Sequence, residues 1–404
     1  MRISTTFAVQ QNIDRISSIG AQVAATQEQL TTGRRINSPS DDPLGAASII
    51  RLEAEINTRD TYLTNLDTLD ASLSIEDSVL AQATEVLQRV RELTIQAGDG
   101  SISQTDREFI ATEIRVRLDE LQTLTNTRAP SGDFLFGGLA GDQPPFDDSL
   151  RFIGDGSVRQ IEVDGGQRIS VGDSARRIFA DVPAAEPSFF VETDGADIQA
   201  SRGLVVDQEA FAEVFPEDLV IRFNEPAEDE RGRANYTIVR RSDQRPFAGF
   251  ENVPYDGGAT VVVAGLSVDI AGAVQAGDQV ILETSNTQST LLTLDRLATG
   301  LEQINAANQP QSFDSLIASA LTNLDASLST VSEVRAEVGA RLNVVDSTRD
   351  LHQELTLRAQ ASVSSIRDVD FAEAVSQLAT ESFLLEAAQQ TFIRVSQLSL
   401  FDRI

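Results

Sequence analysis

Along the first thirty residues, Val9, Ile13, Ile16, Gly20, Val23, Gln27 and Leu30 alternate spacings of four and three. The rhythm returns in Val79, Ala83, Val86, Val90, Leu93 and Ala97, and in Ile317, Leu321, Leu324, Leu328 and Val331, resuming at Val338, Leu342 and Val345. A period of 3.5 predicts helices seamed against other helices. Ile110, Ile114, Leu118, Leu121 and Leu124 mark a further helix after the turn-like stretch AGDGSISQTD. Residues 46–97 contain neither Gly nor Pro, and residues 301–404 contain only Pro310 and Gly339. Unbroken, 46–97 would form a rod of roughly 78 Å.

The middle reads differently. Of 25 Gly, 18 fall within 130–285, with nine of 12 Pro and 12 of 19 Phe, so long helices cannot persist there. RFIGDGSVRQIEVDGGQRISVG has β-rich runs divided by Gly-containing turns, with VDGGQ as a hairpin. LVIRFNEP, ANYTIVRR, ATVVVAGLSVDIAG and DQVILET continue in that style. The predicted fold is α+β and multidomain. Long N- and C-terminal helices pair as a coiled coil or helical bundle, and a β-rich middle domain over 130–285, of one lobe or two, is inserted at the far end.

Two polar breaks interrupt the helical ends. In TGRRINSPSDDPLGAASI a helix should stop at Gly33, where glycine takes the left-handed closing conformation. Arg34 and Arg35 suit the carbonyl end of the macrodipole, and a new helix should begin within SPSDDPLG, capped by Ser40 or Asp42, with Pro43 in its first turn. Near the other end, Asp370 followed by Glu373 has capping-box spacing and predicts a last helix. Phe371, Val375, Leu378, Leu385, Phe392 and Val395 give that helix a wide apolar face. The two terminal helices either cover each other within one chain or are completed by neighbouring subunits; a stripe does not name its partner.

Charge and composition narrow the chemistry. The formal net charge of -30 argues against nucleic acid and against an anionic membrane surface, which both call for basic footprints. All 32 basic residues are Arg, which fits a codon bias better than a function. No apolar run has signal-peptide length in MRISTTFAVQQNIDRI, and none is long enough to cross a bilayer. Without Cys, thiol chemistry and disulfides are excluded. The single His, His352, has no partner for H-E-x-x-H zinc proteolysis and reads as a bundle or helix-surface residue. The acidic run from Val205 to Asn235 lacks calcium-loop spacing and reads as solvated surface. No catalytic, cofactor or metal site is expected.

LTTGRRINSPSDDPLGAA resembles the N-terminal motif of the bacterial flagellin superfamily, and VGARLN, SSIRDVDFAEAVSQL and LLEAAQQTFIRVSQLSLFDRI resemble its C-terminal motif. The opening MRIST, the ending LSLF plus a few residues, and SGDFLFGGLAGDQPPF are similar to the branch that joins hook to filament. So are FIGDGSVRQIEVDGGQRISVGDSARRIF and GLSVDIAGAVQAGDQVILETSNTQSTLLTL, whereas the stretch from about Ala184 to Gly257 matches nothing in it. Filament flagellin is the alternative, and a cytoplasmic signalling coiled coil is disfavoured by the β-rich middle. The resemblance implies a structural adaptor without catalysis. Residues 1–32 and 369–404 would be inner-core helices, 33–43 and 362–368 polar spokes, and 44–129 with 286–361 a helical bundle domain bearing a projecting 130–285. Subunit packing would fall to Ile13, Ile16, Val23, Leu30, Phe371, Val375, Leu378, Leu385 and Phe392. The turn would fall to Gly33, Arg34, Arg35, Asn37, Asp41, Asp42 and Pro43. The implied partners are the first hook-associated protein, flagellin, further copies of the chain in a ring-like homo-oligomer, and a flagellar export chaperone. The implied location is the extracellular flagellum, reached through the type III apparatus without a cleaved signal.

Overall fold

The computed structural model describes residues 5–129, 131–195, 197–225 and 233–401. The opening residues 1–4, residues 402–404 of the closing motif and 226–232 of the acidic run lie outside it, as do the side chains of Val9 and Val395. Two compact units are formed, Met1–Leu66 with Asp346–Ile404, and Asp67–Val345. The division falls inside two long helices rather than at the polar breaks.

The first unit contains α1 (Thr5–Thr32), the N-terminal part of α2 (Pro43–Ala97), the C-terminal part of α6 (Pro310–Arg367) and α7 (Phe371–Phe401). Ile36, Ala46 and Ile49 meet Val363 in a small apolar core, with Leu52, Ile56 and Ile366 against it. Further along, Tyr62 packs on His352 with ring centroids 5.4 Å apart. The histidine is 2% exposed, a bundle residue. Residues 362–367, expected as a polar spoke, are instead the last turns of α6. Only residues 368–370 separate it from α7, because nothing in ASVSSIR, residues 361–367, forces an earlier stop: the stretch holds neither Gly nor Pro.

The second unit joins helices to a β-rich lobe. On α2, the stripe Val79, Ala83, Val86, Val90, Leu93 and Ala97 is buried as its spacing predicts. Helix α3 (Gln104–Thr125) starts on a capping box between Ser103 and Asp106. It buries Ile110, Ile114, Leu118 and Leu121 and packs on α5 (Thr290–Gln303). Its arginine Arg107 reaches back to the Ala97 and Asp99 carbonyls and so satisfies the open end of α2. Salt bridges Arg91–Asp325 and Arg335–Asp77 join α2 to α6.

All named strand pairings are antiparallel. β1 (Gln160–Asp164) and β2 (Gln167–Ser170) form the expected hairpin across Gly165–Gly166. The main sheet has the order β3 (Val182–Asp194), β11 (Gln279–Gln288), β6 (Leu219–Asn224), β7 (Asn235–Arg240), β8 (Val253–Pro254). In the second sheet β10 (Leu266–Gly272) pairs with β4 (Ile198–Ala200), β5 (Leu204–Val205) and β9 (Gly258–Val263). The β9–β10 hairpin turns through Ala264 and Gly265, both at positive φ. One apolar core serves both sheets: Phe189, Ile221, Phe223 and Leu282 from the first cluster with Val261, Val268 and Ile270 from the second. Phe211 of the short helix α4 (Gln208–Val214) closes it, edge-on to Phe189.

Arg296 of α5 ties the lobe to the helices. Its guanidinium stacks on the Phe189 ring and donates to the carbonyls of Phe189, Arg202 and Gly203 and to the Ser188 hydroxyl. Burial pushes its pKa down to about 9, still above neutrality, so it donates as a cation. Replacing Arg296 by Ala should orphan these acceptors and cost about 2–4 kcal/mol, and Lys should not rescue it, having no planar fork. Denaturant unfolding followed in the lobe's tyrosine fluorescence checks this; equal midpoints for wild type and R296A would refute it.

Candidate functional site: the paired chain ends

Helices α1 and α7 run antiparallel and pack on each other. Near one end Ile13 and Ile16 line a hollow with Gln389, Phe392 and Ile393. Midway, the Thr26 hydroxyl donates to Glu381 Oε2 at 2.8 Å. At the other end the backbone of Gly33 lies beside the Phe371 ring.

The covered positions keep a 3.5 period on both helices: Asn12, Ile16, Ile19, Val23, Thr26 and Leu30 on one, and Ala374, Leu378, Glu381, Leu385, Ala388 and Phe392 on the other. Of the expected packing residues, Ile16, Val23, Leu30, Leu378, Leu385 and Phe392 are half-buried at this seam. Ile13, beside Ile16 and Phe392 at the hollow, and Phe371 and Val375 are not among these half-buried positions. They are exposed with Phe7, Phe383, Leu384 and Ile393, over a range from 44% at Ile13 to 70% at Phe383. The pair therefore carries an apolar seam and, separately, apolar side chains facing out.

Sequence reasoning missed Thr26 and Glu381, which are 3% and 9% exposed. A hydroxyl–carboxylate contact inside a seam costs stability compared with apolar packing and fixes register, because a slipped pairing would bury both groups unpartnered. The available signal was the heptad itself, since 26 continues the 12–16–19–23 series better than Gln27 does.

The N-terminal break is built from backbone. Gly33 has φ +71, the left-handed helix end that glycine permits. Arg35 N–H donates to the Arg367 carbonyl at 2.7 Å, Val369 N–H to the Gly33 carbonyl at 3.0 Å, and Arg34 bridges Asp368. The Arg35 guanidinium takes the Ile366 carbonyl at 2.7 Å, and its other end lies 3.8 Å from Asp42. Asn37 Oδ1 accepts from Thr32, while the N–H groups of Asn37 and Ser38 donate to Asp41. Those donors, Ser38 first, hold the Asp41 carboxyl below its usual pKa. Asp42 caps α2 by accepting from Gly45 N–H at 2.9 Å, and Pro43 opens the helix. On α7, Asp370 Oδ1 accepts from the N–H groups of Ala372 and Glu373, the forward half of the capping box.

Among the described residues no group of three or more His, Asp or Glu could hold a metal, and no helix is long and apolar enough to cross a membrane. The second unit has a cavity of about 740 Å³ beside Phe152 and Arg202. Its arginines are already engaged: Arg202 with Asp295 at 2.7 Å, Arg176 with Asp181 at 3.2 Å, Arg296 with backbone.

The model of the bacterial flagellin N-terminal helical region matches residues 3–140, and that of the C-terminal helical region matches 321–402. Together they cover more than half of the chain. It belongs to the bacterial flagellin family. The family is one of structural, non-enzymatic flagellar proteins. The chain is 24% identical to flagellar hook-associated protein 3 of Salmonella typhimurium, over 100% of this chain and 99% of that one. It is 24% identical to polar flagellin C of Vibrio parahaemolyticus, over 93% of this chain and 92% of that one. The crystal structure of hook-associated protein 3 from Legionella pneumophila shares the fold, with TM-score 0.53, 21% identity, and coverage of 79% of this chain and 98% of that one.

Gly45 offers a test of the break. A Cβ there would stand 2.6 Å from both Ile36 Cδ1 and Asp42 Oδ2. Gly45→Val should therefore push Ile36 out of its core and cost the first unit about 1–3 kcal/mol. Hydrogen exchange of the 33–36 amides should rise in the variant; unchanged protection would show that the contact is slack.

Proposed function

We propose that this chain is the structural adaptor at the hook–filament junction of the bacterial flagellum. The observation that carries the reading is the end-to-end match to hook-associated protein 3, over 405 residues and 99% of that protein, where the flagellin match leaves part of both chains out. The equal identity to polar flagellin C supports the second reading, a filament subunit of the same fold.

On the first reading the apolar side chains of the paired ends are the contact with neighbouring subunits. The α1–α7 seam with Ile16, Val23, Leu30, Leu378, Leu385 and Phe392 shapes each subunit's share, and Ile13, Phe371 and Val375 face outward for the neighbour to cover. Leaving such side chains in water is unfavourable, by about 25 cal/mol per Å² of apolar surface, and packing subunits together removes that cost. Gly33 to Pro43 sets the turn between the terminal helix and α2. The neighbours are the first hook-associated protein, flagellin and further copies of this chain, and a dedicated chaperone would cover the last helix before export. The location is the flagellum outside the cell.

Immunogold electron microscopy on intact flagella, with an antibody against residues 130–285, should label one narrow zone where hook meets filament. Label along the whole filament would replace this reading by flagellin. Leu385→Asp, a charge at the seam, should abolish filament assembly while residues 130–285 keep their resistance to proteolysis. Complete, functional filaments in that variant would remove the packing role from the seam.

A further inference from the structure

Residues 171–181 form a strap that leads from β2 into β3. Asp173 N–H donates to Glu76 Oε1 of α2 at 3.0 Å. The approach is close, since a Cβ at Gly172 would stand 3.3 Å from Glu76 Oε2. The Asp173 carboxylate pairs with Arg341 of α6 and lies 3.6 Å from Arg177. Arg177 is itself forked onto Glu337 of α6 by two bonds of 2.7 Å and lies 3.6 Å from Glu333. The strap is thus pinned to α6 by ion pairs and to α2 through Glu76, while Ala175 N–H donates to the Phe136 carbonyl at 3.0 Å and Phe179 packs edge-on to Phe136.

Glu76 is an odd group to find there. It is 0% exposed, Asp173 is 8% exposed, and the Asp173 carboxyl is near enough to push the Glu76 pKa up. No donor reaches Glu76 Oε2. An ionised carboxylate only accepts, so two neighbouring carboxylates with a donorless buried oxygen are stable only when a proton is present. The surrounding charges do not supply the deficit. Arg341 acts on Glu76 but also serves Asp173, and Arg177 serves Asp173, Glu337 and Glu333. Asp77, next along α2, is taken by Arg335 at 3.0 Å, and Arg159 across the adjoining hollow is taken by Asp133 at 3.4 Å.

We propose that a proton held between Glu76 and Asp173 is a pH-operated latch, which fastens the strap to α2 in neutral and acidic medium and releases the root of β3 in alkaline medium. Burial first, and Asp173 second, push the Glu76 pKa up to about 8, against the pull of Arg341. The raised folded value fixes the sign. The proton's contribution is complete below the unfolded pKa, about 4.5, and is lost as pH rises through about 8. Because the strap runs straight into Val182, where β3 begins, its release loosens the attachment of the lobe on that side.

The test is hydrogen exchange with mass spectrometry on the full chain, corrected for the intrinsic pH dependence of exchange. Between pH of about 6 and about 9.5, protection of the 171–181 amides should fall about tenfold or more, while that of α5 stays constant. Glu76→Gln, which carries its own N–H donor, should hold the strap closed over the whole range. Constant protection in wild type, or an equal fall in E76Q, would overturn the proposal. A second measurement needs no variant. The infrared carbonyl band of a buried protonated carboxyl should be present in wild type near pH 6 and vanish through about pH 8. Its absence near pH 6 would also overturn the latch.

Discussion

The first unit depends on a short backbone contact between segments more than three hundred residues apart. Arg35 N–H to the Arg367 carbonyl and Val369 N–H to the Gly33 carbonyl act as two rungs of a ladder. Each long helix must end there, and each ended helix leaves carbonyls and N–H groups that demand partners. The two breaks answer one another's demand. Ile36, Ala46, Ile49 and Val363 pack beside the contact in a small apolar core. With both ends tied at one place, the antiparallel course of α1 and α7 follows, since each leaves the ladder in the same direction.

Past the ladder, the pair has only its seam. Most of a helix's stability in a protein comes from tertiary packing, and two of the six seam positions on α1 and three of the six on α7 are small or polar. Asn12, Thr26, Ala374, Glu381 and Ala388 add little burial. Register is specified strongly and cohesion weakly. The bulk that would add cohesion, at Phe371, Val375, Phe383 and Leu384, points elsewhere. That allocation is the physical ground for reading the pair as half of an interface.

The long helices and the β-rich middle were legible because they rest on strong local signals: Gly and Pro placement, heptad spacing, and alternating strands. The α2 stripe Val79, Ala83, Val86, Val90, Leu93 and Ala97 is buried, but the same helix also buries Glu76 and Thr94, which a search for apolar positions does not select. Elsewhere several of the positions expected inward lie one residue away from the buried one. Leu321 and Leu328 stood in for Ala320 and Ser327, Leu124 for Thr125, Gln27 for Thr26, and Val375 for Ala374. A hydrophobic scan chooses the bulkier of two neighbours, whereas close-packed helices put the smaller one inward where backbones approach. The ladder between the breaks and the Glu76–Asp173 contact had no local signal, because both join residues that only the fold brings together. The resemblance supplied the position of the N-terminal turn but not its bonding, and it extended the C-terminal connection into residues that are helical.

Val182, where β3 begins, is paired with Gln288, where β11 ends, and the ladder between the two strands runs from there to Asp194 and Gln279. Chain enters and leaves the lobe side by side, on a two-stranded stem beside the start of α5. Everything between is topologically a single graft. Its length and surface can drift in evolution, or be exchanged outright, without moving the helices that flank its root. The lobe's freedom is bounded only by what grips the stem, which makes Arg296 on one side and the strap on the other the fixed points of an otherwise interchangeable head.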